Sequence, residues 1–123
     1  MEDQALERTN RINLLFDFYG PLLTDKQQSI LSLYYQDNFS LGEIAAELSV
    51  SRQAVYEHVK RAEQALAEYE GKLGLAGKFK RRQELVEKLE QVLGEHGLAG
   101  QPHLQSIMDE LQSLDAATDL DFD

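Results

Sequence analysis

Cysteine and tryptophan are absent from this chain, and proline occurs only twice in 123 residues. Without thiols there is no disulfide framework, no thiolate metal site and no cysteine nucleophile. No apolar run approaches the roughly 18 residues of a membrane span. The N-terminus, MEDQALERTN, is polar and unlike a signal segment. The expectation is therefore a cytoplasmic protein without a membrane partner. Basic residues are also scarce, with 12 Lys and Arg against 22 Asp and Glu, a net charge of -10. Such a chain binds a polyanion weakly unless its bases are gathered in one place, because affinity for phosphates grows with the number neutralised.

Catalytic equipment is missing too. His58, His96 and His103 are the only histidines, and none has a second ligand at metal-binding spacing on a helix face. There is no phosphate-cradling glycine loop and no nucleophile motif. The expectation is no enzyme, no catalytic residue, no metal and no cofactor.

What is present is helical periodicity, with no alternating strand pattern, so the fold class is all-α. The stretch FSLGEIAAELSVSRQAVYEHVKRAEQAL, from Phe39 to Leu66, carries two helix starts. Ser40 and Glu43 have capping-box spacing, with Phe39 and Ile44 as a hydrophobic staple. Ser51 caps the second helix, and Val50 staples to Val55. Ala45 permits close approach, and Ala54, Val55 and Val59 supply the facing surface. Arg52, Gln53, Tyr56 and Lys60 then point outward, where a helix-turn-helix presents its second helix to the major groove. An ordinary helical hairpin with a solvated outer face is the competing reading.

Before the motif, QALERTNRINLLFDFY spaces Leu6, Ile12, Leu15, Phe16 and Tyr19 as a helix, which Gly20 and Pro21 stop. Thr24 and Gln27 cap a second helix whose buried face is Ile30, Leu31, Leu33 and Tyr34. Tyr34 and Tyr35 suit either base stacking or core packing. After the motif, Val55, Val59, Ala62, Leu66, Tyr69 and Leu73 continue in steps of four and three, a seam for another helix. The C-terminal helices or a second copy of the chain are its candidate covers, the first being favoured.

Gly71, Gly74 and Gly77 loosen the chain, giving a boundary after residue 71. A helix from about Phe79 to Leu93 follows, with Leu85, Val86, Leu89, Val92 and Leu93 on one face. Pro102 starts a last helix, with Leu104, Ile107, Met108, Leu111 and Leu114 on one side. The organisation read from these signals is a helix-turn-helix domain over 1–71 with its motif at 40–66. C-terminal helices over 72–114 pack on the long helix, and an acidic mobile tail occupies 115–123.

From Leu23 to Leu66 the chain resembles the C-terminal helix-turn-helix region of bacterial sigma factors. The shared features are Leu23-Thr24, Leu31, Tyr34-Tyr35, Ile44-Ala45, Leu48, Ser51, Ala54-Val55 and Arg61-Ala62. Ser49 departs from that pattern, since glycine commonly supplies the left-handed turn there. Over roughly residues 5 to 113, including LLFDFYGPLLT and SVSRQAVYEHVKRAEQALAEYEGKLGL, the chain resembles the YlxM-type helix-turn-helix proteins. That resemblance implies a regulatory role in the signal recognition particle pathway, with the particle's RNA, its GTPase or duplex DNA as partner. A promoter-binding transcriptional regulator and a protein-interaction module are the alternatives, and a homodimer is compatible with each. The candidate nucleic-acid contacts are Ser51, Arg52, Gln53, Tyr56 and Lys60, together with the basic cluster Lys78, Lys80, Arg81 and Arg82. A solvated helix start is the competing reading of that cluster.

Overall fold

The computed structural model describes residues 2–116. The chain divides into two compact units, Met1–Gly74 and Leu75–Asp123. In the first unit α1 (Glu2–Tyr19) gives way at Gly20 and Pro21 to a 3-10 turn, Gly20–Leu22. The next helix, α2 (Asp25–Leu31), starts at a complete capping box. The Gln27 amide donates to the Thr24 hydroxyl at 3.2 Å, and the Thr24 amide donates to the Gln27 side chain at 3.0 Å. It widens into a π turn over Ser32–Gln36, and the chain reverses at Asn38, whose φ is 62°. Asparagine tolerates that left-handed conformation better than most residues.

The helix α3 (Leu41–Leu48) is capped reciprocally by Ser40 and Glu43, at 3.1 and 3.2 Å. Ser49 takes the left-handed conformation (φ 55°, ψ 43°), and the Val50 amide closes back onto the Ala45 carbonyl at 3.1 Å. Ser51 then caps α4 (Arg52–Leu73), its hydroxyl accepting from the Ala54 amide at 3.0 Å. A three-residue turn therefore links the two helices of the motif.

Around α4 the first unit is assembled, because α1, α2 and α3 all pack against it. Val55, Val59, Ala62 and Leu66 form its buried stripe, meeting Ile12, Leu15, Tyr19, Leu23, Ile30, Leu31, Ile44 and Ala45 in the core. The seam that the sequence leaves open is closed within the unit over this length. Each large apolar side chain so enclosed contributes about 1.5–3 kcal/mol. Tyr19 is fully enclosed, and its hydroxyl donates to the Glu70 carboxylate at 2.6 Å. Leu6, read as part of the α1 face, is 61% exposed, since the core begins only at Ile12. Leu33 and Tyr34 are half-buried rather than buried, the π turn having rotated them off the stripe of Ile30 and Leu31.

Gly71 sits inside α4, and the unit boundary falls at Gly74, which adopts φ 65° and so ends the helix. The second unit is a helical hairpin. Helix α5 (Leu75–Glu95) and helix α6 (Pro102–Ala116) are joined through Gly97 and Gly100, both at positive φ. Arg82 with Asp115, and Gln112 with Glu90, tie the helices in antiparallel register. The single apolar faces read for these helices split in two. Met108 is buried and Val86, Leu93 and Leu104 are half-buried between the helices, whereas Leu85, Leu89, Val92, Ile107, Leu111 and Leu114 are exposed. The acidic segment lies, from residue 117 onward, outside the described residues.

Two substitutions test this packing by urea unfolding of the full chain. Leu66→Ala is expected to lower the stability of the first unit by about 2–5 kcal/mol through lost burial and a cavity. Ser49→Gly is expected to raise it by up to about 1 kcal/mol, by relieving the left-handed serine.

Candidate nucleic-acid interface

The rotation of α4 is set by its buried stripe, and the candidate contacts follow from it. With Val55 and Val59 turned inward, Ser51, Arg52, Gln53, Tyr56 and Lys60 are all solvent-exposed. Arg52 and Gln53 occupy the first turn of α4. No carboxylate lies in that first turn, so the partial positive charge of the helix N-terminus adds to Arg52. Lys60 lies over the Tyr56 ring, 5.5 Å from its centroid, which holds two of the contacts as a pair.

One turn further on, Glu63 is a clamp. Its side chain is only 12% exposed and it accepts from Arg8 of α1 at 2.9 Å and from the Tyr35 hydroxyl of the π turn. Lys60 stands 3.9 Å from the same carboxylate. Burial, followed by the hydrogen bond to Glu63 and that residue's negative charge, pushes the Tyr35 phenol well above the ordinary tyrosine value. Tyr34 meets Tyr35 edge-on at 4.9 Å. A cleft of about 470 Å³ opens beside this network, lined among others by Arg8, Tyr34, Asn38, Tyr56 and Lys60. Arg8, Arg11 and Lys60 also share a groove between α1 and α4.

The structure therefore brings Ser51, Arg52, Gln53, Tyr56 and Lys60 together on one edge of the first unit. Lys78, Lys80, Arg81 and Arg82 are also exposed, on the first half of α5 in the second unit. Two of these bases are engaged, Arg81 with Glu84 at 3.2 Å and Arg82 with Asp115 at 2.7 Å. Arg8 and Arg11 are bases that the sequence reading missed. Only the packing of α1 against α4 brings them into one groove with Lys60, and no local spacing signals the contact of Arg8 with Glu63, 55 residues apart in the chain. Among the described residues no group of three or more carboxylates and histidines is placed to hold a metal ion. No helix among them is long and apolar enough to cross a membrane.

Two capped helices joined by a tight turn, on a bundle that leaves the outer face of the second helix open, define an all-α helix-turn-helix protein. Family comparison agrees with that class. Residues 6–101 match the UPF0122 family, described as "Putative helix-turn-helix protein, YlxM / p13 like", and the chain belongs to this family. Among similar proteins, a UPF0122 protein of Bacillus mycoides is 53% identical over 110 residues, covering 89% of this chain and 99% of that protein. A UPF0122 protein of Bacillus licheniformis is 53% identical over 111 residues, covering 90% and 99%.

Tyr35 gives a pH test of the clamp. Its folded value lies above the unfolded value of 10.0, so its contribution is complete below pH 10 and is lost as the pH rises toward the folded value. Urea midpoints measured from pH 8 to 11 should fall above pH 10, and Tyr35→Phe should flatten that fall.

Proposed function

We propose that this protein is a regulatory, non-enzymatic nucleic-acid-binding protein of the cytoplasm that uses α4 as its reading helix. The observation that carries the reading is the exposed edge Ser51, Arg52, Gln53, Tyr56 and Lys60, free of acids in its first turn. In this role Arg52 and Gln53 hydrogen-bond base edges, because their forked donors and acceptors match purines bidentately. Tyr56 and Lys60 contact the strand beside the groove, and Arg8 and Arg11 neutralise phosphates along it.

The resemblance to the YlxM type supports the RNA of the signal recognition particle as the target, with the pathway's GTPase as a further partner. Promoter DNA is the alternative target for the same residues. The net charge of -10 favours a second reading, in which the helix-turn-helix is a scaffold for a protein partner such as that GTPase. The acids outside the reading edge repel bulk nucleic acid, so binding in the first reading is selective and falls steeply with salt.

Fluorescence anisotropy with labelled particle RNA, promoter-like and random duplex DNA, and the labelled GTPase, separates these readings at 150 mM salt. Nucleic-acid binding is expected, with Arg52→Ala/Gln53→Ala costing about 1–3 kcal/mol of discrimination between sequences. Arg11→Ala, which leaves the Glu63 clamp in place, should weaken all nucleic acids equally and flatten the salt slope. Equal, feeble binding to every nucleic acid alongside tight binding of the GTPase would reject the reading-helix role.

A further inference from the structure

Tyr34 and Tyr35 carry aromatic surface that the core does not take up. Both are half-buried, and both line the cleft of about 470 Å³ that opens in the first unit between α1, the π turn with the loop after it, and α4. That volume falls within the roughly 300–1,000 Å³ of small-ligand sites. The π turn over Ser32–Gln36 puts the two tyrosines there, and single π turns recur at functional sites.

The walls of the cleft differ in chemistry. Arg8 comes from α1, Tyr34 and Asn38 from the π turn and its loop, and Tyr56 and Lys60 from α4, with the buried Val59 beside them. The Tyr34 ring is held, standing edge-on to Tyr35 at 4.9 Å, while Tyr35 is tied in turn to Glu63. Among the described residues the Tyr34 and Tyr56 hydroxyls and the Asn38 side chain have no hydrogen-bond partner, so these polar ends are open to a ligand.

Charge narrows the kind of ligand. Three charged residues line the cleft, Arg8, Lys60 and Glu63, which leaves one net positive charge. The Glu63 side chain is only 12% exposed and already occupied by Arg8 and Tyr35, whereas those of Arg8 and Lys60 are 56% and 44% exposed. The hydrogen bond to Glu63 uses one of the five N–H donors of the guanidinium, so Arg8 can serve a second anion. A positive lining disfavours the quaternary ammonium that a cluster of tyrosines otherwise suits. What fits is a planar group joined to an anion.

We infer that this cleft receives one unstacked nucleotide, its base packed on Tyr34 and Tyr56 and its phosphate held by Arg8 and Lys60. Continuity selects a nucleotide over other aromatic anions, because Tyr56 and Lys60 belong both to the cleft and to the edge proposed to read nucleic acid. Proteins that take up unpaired residues combine the same parts, rings for the base and cations for the backbone. The Asn38 amide, able to donate and accept, suits a base edge. The inference rests on the reading-helix role and adds that the target carries an unpaired residue, which a uniform duplex lacks.

Labelled short duplexes, in RNA and in DNA, fully paired or with one unpaired nucleotide, test this by fluorescence anisotropy with the full chain. Equilibrium dialysis with radiolabelled nucleoside monophosphates shows whether a free nucleotide also enters. The unpaired form should bind about five-fold or more tightly than the paired one, the range of base–aromatic stacking. Tyr34→Leu, which keeps apolar bulk but removes the ring, should abolish that preference, and Tyr34→Phe should retain it. Arg52→Ala/Gln53→Ala should weaken both duplexes alike. A 5-iodouracil at the unpaired position should photocross-link to Tyr34 or Tyr56 of the wild-type chain, and this decides the matter should Tyr34→Leu lose its helical signal. Equal binding of paired and unpaired duplexes, both dependent on Arg52, would overturn the cleft proposal while leaving the reading helix standing. Binding of free nucleotide that depends on Tyr34, with no duplex bound, would do the reverse. Cross-linking only outside the cleft, or no binding of any nucleotide, would overturn the proposal outright.

Discussion

The packing of Val55, Val59, Ala62 and Leu66 against α1, α2 and α3 is the constraint from which the rest of the first unit follows. A helix has one rotational setting that buries such a stripe, and a twist of one residue, about 100°, would bring Tyr56 and Lys60 into the core. Burial on one side thus fixes what the other side shows. Glu63 reinforces that setting at the rim of the stripe, where its carboxylate joins α4 to α1 through Arg8 and to the π turn through Tyr35. Removing either donor would leave a largely enclosed carboxylate with one partner fewer, which is more costly than the loss of an exposed ion pair.

The same arrangement reconciles an acidic chain with the proposed reading edge. Total charge governs how a protein meets nucleic acid at a distance, while local charge governs what happens in contact. The first turn of α4 holds Arg52 without a neighbouring acid, Lys60 is oriented by the Tyr56 ring, and Glu63 is occupied by donors of its own. Acids elsewhere on the surface raise the threshold for nonspecific binding, while the first turn of α4 carries none. In the second unit the arrangement differs, since its bases flank an apolar face and two of them already hold carboxylates of the same hairpin.

Local signals were legible in the sequence to the residue. The caps at Thr24, Ser40 and Ser51 form as their spacing requires, and Ser49 takes the left-handed turn where glycine would be expected. Capping depends on three or four consecutive residues, and so it can be read without knowing the fold. Facing depends on what lies opposite, and there periodicity overreached. Leu6 belongs to the apolar pattern of α1 but lies beyond the end of the core, and the apolar faces of α5 and α6 are wider than a single partner helix can cover. Gly71 and Gly74 look alike in sequence, yet only the second adopts positive φ. Arg8, Arg11 and Glu63 were illegible for a related reason, because their partners come from distant turns of the chain. The exposure of Arg52, Gln53, Tyr56 and Lys60 was legible, since they are the complement of a strongly periodic stripe.

Cysteine scanning along α4 tests the central claim most directly, in a chain that brings no thiol of its own. Single cysteines at positions 52, 53, 55, 56, 59 and 60 would be labelled with a maleimide in the folded protein, alone and with a bound nucleic acid. The account predicts fast labelling at 52, 53, 56 and 60, slow labelling at 55 and 59, and protection of the four outward positions when nucleic acid is added. Uniform labelling around the helix, or outward thiols that react equally fast with nucleic acid bound, would contradict it.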